Sequence, residues 1–368
     1  MKILLITGEV SADQYGAKLA KELRATNPSS YIYSVGGKYL KAISDEFLFD
    51  LAAKSAIGFI EHAAHRRDHQ LFLKTFEKFL SSTPIDKAVL VDFQHYHSKV
   101  AALLQKNNIP IITFITPNFW IWNQSSKAKK IVSYSQDIVT IYEKEQIFYK
   151  KFTSHTRYFG HPINHIKPLP HISSHYKRVT LFPGSRKQEI TQLLPSMLEV
   201  VQILKEKRCD YHFQIALSAS DFKDSINTHC QKANLSDIPI VEVNERLFSQ
   251  TDFVLCSTGT TSLEAVIHHL PVIILLAANP ITYFIVKYIL RLPIEFVGLP
   301  NIIAGRRVVS EYIQYQIKPQ KIAEEIHQVL SHPENIQDSI REYDPIIASL
   351  GNKSPFESVA QLVLRGDV

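Results

Sequence analysis

The feature that most constrains this chain is a rhythm: short apolar runs alternate with helix-length segments, the pattern stops, and then it resumes. The runs at 3–7, 31–35, 88–91, 111–115 and 138–142 are rich in Ile, Leu and Val, as strands buried on both faces of a parallel sheet are. The stretches between them are long enough for crossover helices, which predicts βαβ units. At 160–174 the chain reads GHPINHIKPLPHISS, where glycine, prolines and histidines follow no period, and this predicts a linker. A second series follows at 179–182, 212–217, 240–243, 253–256 and 272–276. The expectation is an α/β protein of two doubly wound, Rossmann-like domains. The first spans 1–165, the second 166–340, and a final helical segment at about 341–368 returns to the first. Ligands of such sheets bind at the carboxyl ends of the strands, where the strand order reverses. Two domains of this kind predict a cleft.

Composition narrows the class of partner. A chain of 368 residues exceeds the comfortable size of one core, in line with two domains. A net charge of +6 favours an anionic partner. No long basic run or arginine-rich arm is present, so nucleic acid is the weakest candidate, after nucleotides and phospholipid surfaces. Three scattered cysteines (Cys209, Cys230, Cys256) suit a reducing cytoplasm better than a disulfide framework. The opening MKILLITGEVS reads as a first strand and not as a signal peptide. The segment 270–290 is nearly long enough to span a bilayer, but Pro271, Asn279, Pro280 and Lys287 interrupt it. A buried strand, a loop and an apolar helix from about 281 explain it better.

Three strand-to-helix turns carry candidate chemistry. LFPGSRKQEI (181–190) is a strand, a tight turn and a helix start, where free amides and Arg186 suit a phosphate. The bland alternative is a helix capped by Ser185 with Arg186 on Glu189. LCSTGTTSLEAV (255–266) repeats the plan. Gly259 lets a diphosphate approach the backbone, Thr260 and Thr261 offer hydroxyls, and Glu264 is placed to accept from a ribose. Two such turns without GxGxxG or a Walker lysine point to a nucleotide-sugar. The third turn, TGEVSADQYGAKLAKEL, brings Glu9 and Ser11 just past the first strand, with Ser11 as a helix cap the simpler alternative.

Together these blocks resemble a family. GEVSADQYGAKLAKEL, TPNFWIWNQ, YEKEQIFYKKF, FGHPI, LFPGSRKQEI, STGTTSLEAV and LPNIIAGRRVVSEYIQ occur in the order seen in lipid-A-disaccharide synthases, inverting glycosyltransferases of the GT-B type. The resemblance runs from residue 1 to about 330. It implies transfer of 2,3-diacylglucosamine from UDP to 2,3-diacylglucosamine 1-phosphate, with no metal or other cofactor. It places Ser185 and Arg186 at the diphosphate and Thr260, Thr261 and Glu264 at the nucleoside end. It also puts Asn301 near the sugar-phosphate, and Glu9 with Ser11 on the acceptor side. The acylated substrates imply a cytoplasmic protein, peripheral to the inner face of the cytoplasmic membrane. The oligomeric state stays open, a homodimer included.

This chain departs from the family's pattern in three places. Ala12 stands where the first turn usually has a second glycine, and Ser310 precedes Glu311 where a Pro or Lys is common. The largest departure is VDFQHYH at 91–97. The family's ID-x-PDFN carries an essential second aspartate, and His95 stands at its position, with Asp92 at the first. A histidine near pKa 6.5 is a well-matched base for a sugar hydroxyl at neutral pH, and Asp92 is placed to orient it. Asp92 as the base itself, or neither residue, remain open, and so do another acceptor, hydrolysis of the UDP-sugar, and a binding protein without turnover.

Three further features carry alternatives. Trp120 and Trp122 suit the core or a sugar stack. His161, His165, His171 and His175 lack metal spacing and read as a hinge. His62, His65, Arg66, Arg67 and His69, before Leu71–Phe72–Leu73, form a basic stripe beside an apolar one. That suits a membrane interface or a helix packed on its sheet.

Overall fold

A computed structural model describes residues 1–51, 66–93, 97–172, 177–207, 210–244, 246–277, 295–332 and 340–365. The chain divides into two compact units, Met1–His165 with Ser349–Val368, and Ile166–Ala348. The return to the first unit thus begins at Ser349 and not near 341.

The first unit is built on a seven-stranded parallel sheet: β1 (Lys2–Thr7), β2 (Tyr31–Gly36), β3 (Glu46–Asp50), β4 (Lys87–Val91), β5 (Ile111–Phe114), β6 (Asp137–Thr140) and β7 (Thr156–Tyr158). Their order is β3-β2-β1-β4-β5-β6-β7, so the order reverses between β1 and β4. Thr7 pairs with Val91, and Val91 with Phe114, so the turns after β1, β4 and β5 leave the sheet side by side. All five residues of β4 are buried, which is why the strand reads as an unbroken apolar run. The edge strands β3 and β7 escape sequence reading because they are short and only partly buried. The final helix, Pro355–Leu364, lies against helix Val10–Thr26 and the sheet through Phe356. That ring meets Tyr15 at 6.2 Å and Phe114 edge-on at 5.9 Å.

The second unit has six parallel strands: β8 (Lys177–Phe182), β9 (Tyr211–Leu217), β10 (Ile240–Glu242), β11 (Phe253–Ser257), β12 (Val272–Leu276) and β13 (Ser310–Ile313). The order β10-β9-β8-β11-β12-β13 reverses between β8 and β11, and Phe182 pairs with Cys256. The turns at 183–186 and 258–259 therefore emerge together at the switch point. β12 confirms the strand in the apolar segment after Pro271, while the helix expected from 281 lies outside the described residues. No helix among the described residues is long and apolar enough to cross a membrane.

Helix Arg66–Ser82 buries Phe72, Phe76 and Leu80 in the first core, with Phe72 against Phe49 and Phe76 at 5.0 and 5.5 Å. Leu71, by contrast, is exposed. The helix is therefore the packed amphipathic element the pattern allowed. His62 and His65 lie outside the described residues, as do the side chains of Arg66, Arg67 and His69.

Candidate functional site

In the second unit β8 ends at Phe182, and Pro183–Gly184 turns the chain into helix Lys187–Glu206. Gly184 has φ +124, and a Cβ there would sit 2.3 Å from Glu189 Oε2, so glycine is required twice over. Glu189 folds back over the turn: its Oε2 accepts the Ser185 N–H at 2.9 Å, and its Oε1 lies 3.7 Å from Arg186. The helix begins at Lys187 with Arg186 as its N-cap residue, so Ser185 does not cap it. Ser185 and Arg186 are both exposed at the helix entrance. An anion bound there meets a guanidinium and backbone amides. It also competes with Glu189 for the Ser185 amide.

The neighbouring turn follows β11. Gly259 is the N-cap of helix Thr260–Ile267, with φ +147, no side-chain cap and open space where a Cβ would point. Gly259 and Thr260 are exposed and Thr261 and Glu264 half-buried, while Ser262 turns inward and donates to the Gly259 carbonyl at 2.8 Å. The helix's first amides therefore face outward, and the turn leaves room for a ligand backbone. Glu264 lies close enough to Cys256 that its charge adds to burial in raising that thiol. Below the two turns Phe182, Phe248 and His268 stack, at 5.3 and 4.8 Å. Burial lowers the His268 pKa.

Asn301 is the one predicted contact that the geometry redirects. It is fully buried, and its amide is saturated. Oδ1 accepts from Val308 and Val309 N–H at 2.6 and 2.9 Å, and Nδ2 donates to Val309 O and Glu311 Oε1 at 2.9 and 2.7 Å. All four of its hydrogen-bonding positions are used internally. Glu311, itself buried, also accepts from Val297 and Gly298 N–H. Asn301 thus shapes the 297–309 loop and has no group left to offer a sugar-phosphate.

In the first unit Glu9 is the N-cap of helix Val10–Thr26, held in extended backbone, and its carbonyl accepts the Asp13 N–H at 2.9 Å. Ser11 is exposed within the first helical turn and does not cap the helix. The residue that organises this turn is Asp13, which sequence reading passed over. It is buried, and it accepts Gly37 and Tyr39 N–H at 2.7 and 2.8 Å, closing the start of helix Lys38–Lys41. The signal was present as an acid in the first turn facing a Gly-Gly pair. Gly16 packs closely as expected, since a Cβ there would lie 2.8 Å from the Thr7 methyl.

After β4, Asp92 takes φ +41, is half-buried, and donates its N–H to Phe114 O at 2.9 Å. His95 lies outside the described residues, as does the side chain of His97. Beside Asp92 is a second carboxylate missed from the sequence. Glu145 is buried, accepts the Thr116 hydroxyl, and accepts the Ile141 N–H at 2.9 Å. Burial pushes its pKa up to about 7 against those hydrogen bonds, with the Asp92 charge adding to the rise. The neighbouring Tyr142 hydroxyl meets His161 Nε2 at 3.1 Å, and burial drives that imidazole down to about 3.

Trp120 packs on Tyr142 with ring centroids 5.5 Å apart, and both Trp120 and Trp122 are half-buried. His161, His165 and His171 have separate partners, respectively Tyr142, Lys18 and Asp252, while His175 lies outside the described residues. No group of three or more metal-ligating side chains occurs among the described residues.

Comparison with known proteins fits this arrangement. The model of the lipid-A-disaccharide synthetase family matches residues 3–363. The lipid-A-disaccharide synthase of Geobacter metallireducens is 26% identical over 373 residues, covering 99% of this chain and 96% of the relative. Among solved structures, UDP-GlcNAc 2-epimerase from Neisseria meningitidis bound to UDP-GlcNAc superposes with a TM-score of 0.58 at 13% identity, covering 99% of this chain and 98% of that one. MurG of Acinetobacter baumannii superposes with a TM-score of 0.56 at 9% identity, over 98% and 99% of the two chains. These two share the fold: a pair of parallel-sheet α/β domains of the GT-B type. The near full-length family match goes further, and the chain belongs to the lipid-A-disaccharide synthetase family.

Proposed function

We propose that the chain is a lipid-A-disaccharide synthase. It transfers 2,3-diacylglucosamine from UDP to 2,3-diacylglucosamine 1-phosphate with inversion, giving the β-1′,6 disaccharide 1-phosphate and UDP. The observation that carries this reading is the family match across residues 3–363. In the reaction the acceptor's 6-hydroxyl oxygen attacks the anomeric carbon as the bond from that carbon to the diphosphate oxygen breaks. The hydroxyl proton passes to a base, and negative charge grows on the departing UDP. Arg186 and the amides at Ser185 meet that charge. Gly259 lets the diphosphate approach the backbone, Thr260 and Thr261 take the nucleoside end, and Glu264 accepts from the ribose. The exposure of both turns beside the β8–β11 switch point supports these roles.

On the first unit, His95 is the base and Asp92 orients its ring. Glu9 and Ser11, on the turn next to Asp92, line the acceptor side. Asn301 acts through its loop. Domain roles follow: the second unit holds the UDP-sugar and the first the acceptor. The acyl chains of both substrates place the protein at the inner face of the cytoplasmic membrane, where a net charge of +6 and the exposed Leu71 favour an anionic lipid surface. One departure keeps a second reading in play: histidine at the position of the family's essential aspartate suits a transferase with another acceptor.

Incubation with UDP-2,3-diacylglucosamine, with and without the acylated sugar phosphate, decides the matter by mass spectrometry. Disaccharide 1-phosphate formed only with acceptor is the expected result. UDP released equally without acceptor would make the protein a hydrolase. Sedimentation with anionic vesicles tests the membrane reading.

A further inference from the structure

The carboxyl edge of the first sheet holds two strained residues in adjacent turns. Asp92 follows β4 at φ +41, and Ile115 follows β5 at φ +64, a left-handed conformation that a β-branched residue rarely adopts. Such strain persists only where the surroundings enforce it. The two are connected, because Asp92 N–H donates to the carbonyl of Phe114, the residue before Ile115. The residue after Ile115, Thr116, is buried and donates its hydroxyl to Glu145. Glu145 in turn accepts the Ile141 N–H and so ties the turn after β6 to the same point.

A simpler role exists for Glu145, since it stands in the first turn of helix Glu143–Lys150 and an acid there caps the helix start. Capping explains its bonds to Ile141 and Tyr142. It does not explain why a carboxylate fully withdrawn from water is set within the field of Asp92. Surface carboxylates cap helices at far lower desolvation cost.

We propose that Glu145 is a positioning residue for the transfer: through Thr116 it holds the strained turn on which Asp92 hangs, and its proton sets the charge that Asp92 experiences. This rests on the reading of the 92–97 turn as the acceptor-activating site. With its pKa near 7, Glu145 changes charge across the neutral range. Its ionisation puts a second negative charge by Asp92, and its protonation removes it. The groups acting on it or on the adjoining Tyr142 are Asp92 after β4, Tyr149 on its own helix, Tyr15 on helix Val10–Thr26, Tyr158 on β7 and the neutral His161. An acid limb near neutrality in the rate would therefore contain a carboxyl component beside that of a histidine base.

The test uses full-length protein labelled with 13C at glutamate carboxyls, the Glu145 resonance being assigned by its loss in Glu145→Gln. The expected midpoint lies near 7 in the wild type and moves toward the ordinary carboxylate range in Asp92→Asn. In kinetics, Glu145→Gln is expected to lower kcat by roughly 10- to 100-fold with an unchanged KM for the UDP-sugar, and to reshape the acid limb. Thr116→Val should act in the same direction and Thr116→Ser should restore activity, which also covers a Glu145→Gln that fails to fold. A midpoint in the ordinary range, one indifferent to Asp92→Asn, or an unchanged pH profile in Glu145→Gln each overturns the proposal. Because the titration needs no turnover, a wild type that makes no disaccharide would refute the proposed reaction on a separate readout.

Discussion

Arg186 has a side chain 60% exposed at the head of a helix, and its contact to Glu189 is a loose 3.7 Å. A pair this loose, with its cation exposed, contributes little to stability. Arg186→Ala is therefore expected to leave the melting temperature nearly unchanged and to abolish transfer, because the diphosphate gains further negative charge as UDP departs. Near-normal turnover would remove Arg186 from the mechanism. On the proposed placement of Glu264 at the ribose and away from the reacting carbon, Glu264→Gln should weaken UDP binding, read by calorimetry, with a smaller effect on the chemical step. For His95, kcat/KM should fall as pH drops through about 6–7, where a protonated imidazole can no longer accept the hydroxyl proton. His95→Ala should cost roughly 10²- to 10⁴-fold, and His95→Asp should recover part of that and move the acid limb lower.

Helix Lys38–Lys41 is one turn long, too short to stand on its own helical bonds, and Asp13 supplies what it lacks. Asp13→Ala leaves the buried Gly37 amide and the part-buried Tyr39 amide without their acceptor and should cost about 1–3 kcal/mol, measured as a lower urea midpoint. Asp13→Asn keeps one acceptor oxygen and should cost less. This residue also marks the limit of what sequence can disclose. The central strands were legible because burial on both faces leaves a continuous apolar run, as in KAVLV at β4. β3, β7 and β13 lack that run and went unread. In the candidate site, the exposed glycine turn at 259 was visible through its composition. Asp13 and Glu145 were not, and Glu311 was legible only as a motif position, because an acid's burial is decided by distant chain segments. Asn301 was visible in its motif, but its hydrogen bonds and hence its manner of acting were not.

Both tryptophans, Trp120 and Trp122, belong to the first unit, so selectively excited tryptophan fluorescence follows that unit alone, whereas circular dichroism follows both. UDP near 100 times its Kd should stabilise the unit that binds it by about 2.7 kcal/mol. The expected result is a raised dichroism transition with the fluorescence transition in place. A shift confined to fluorescence would move the nucleotide onto the first unit. The division of the chain also bears on its synthesis. The last strand of the first sheet, β7, leaves the ribosome about 200 residues before helix Pro355–Leu364, which covers helix Val10–Thr26 and Phe114. At about 5–20 residues per second that is a wait of roughly 10–40 s. Over that interval the nascent chain can complete the second unit, although it was begun later, while the apolar flank of the first stays bare. The first half of the polypeptide is then the last to mature.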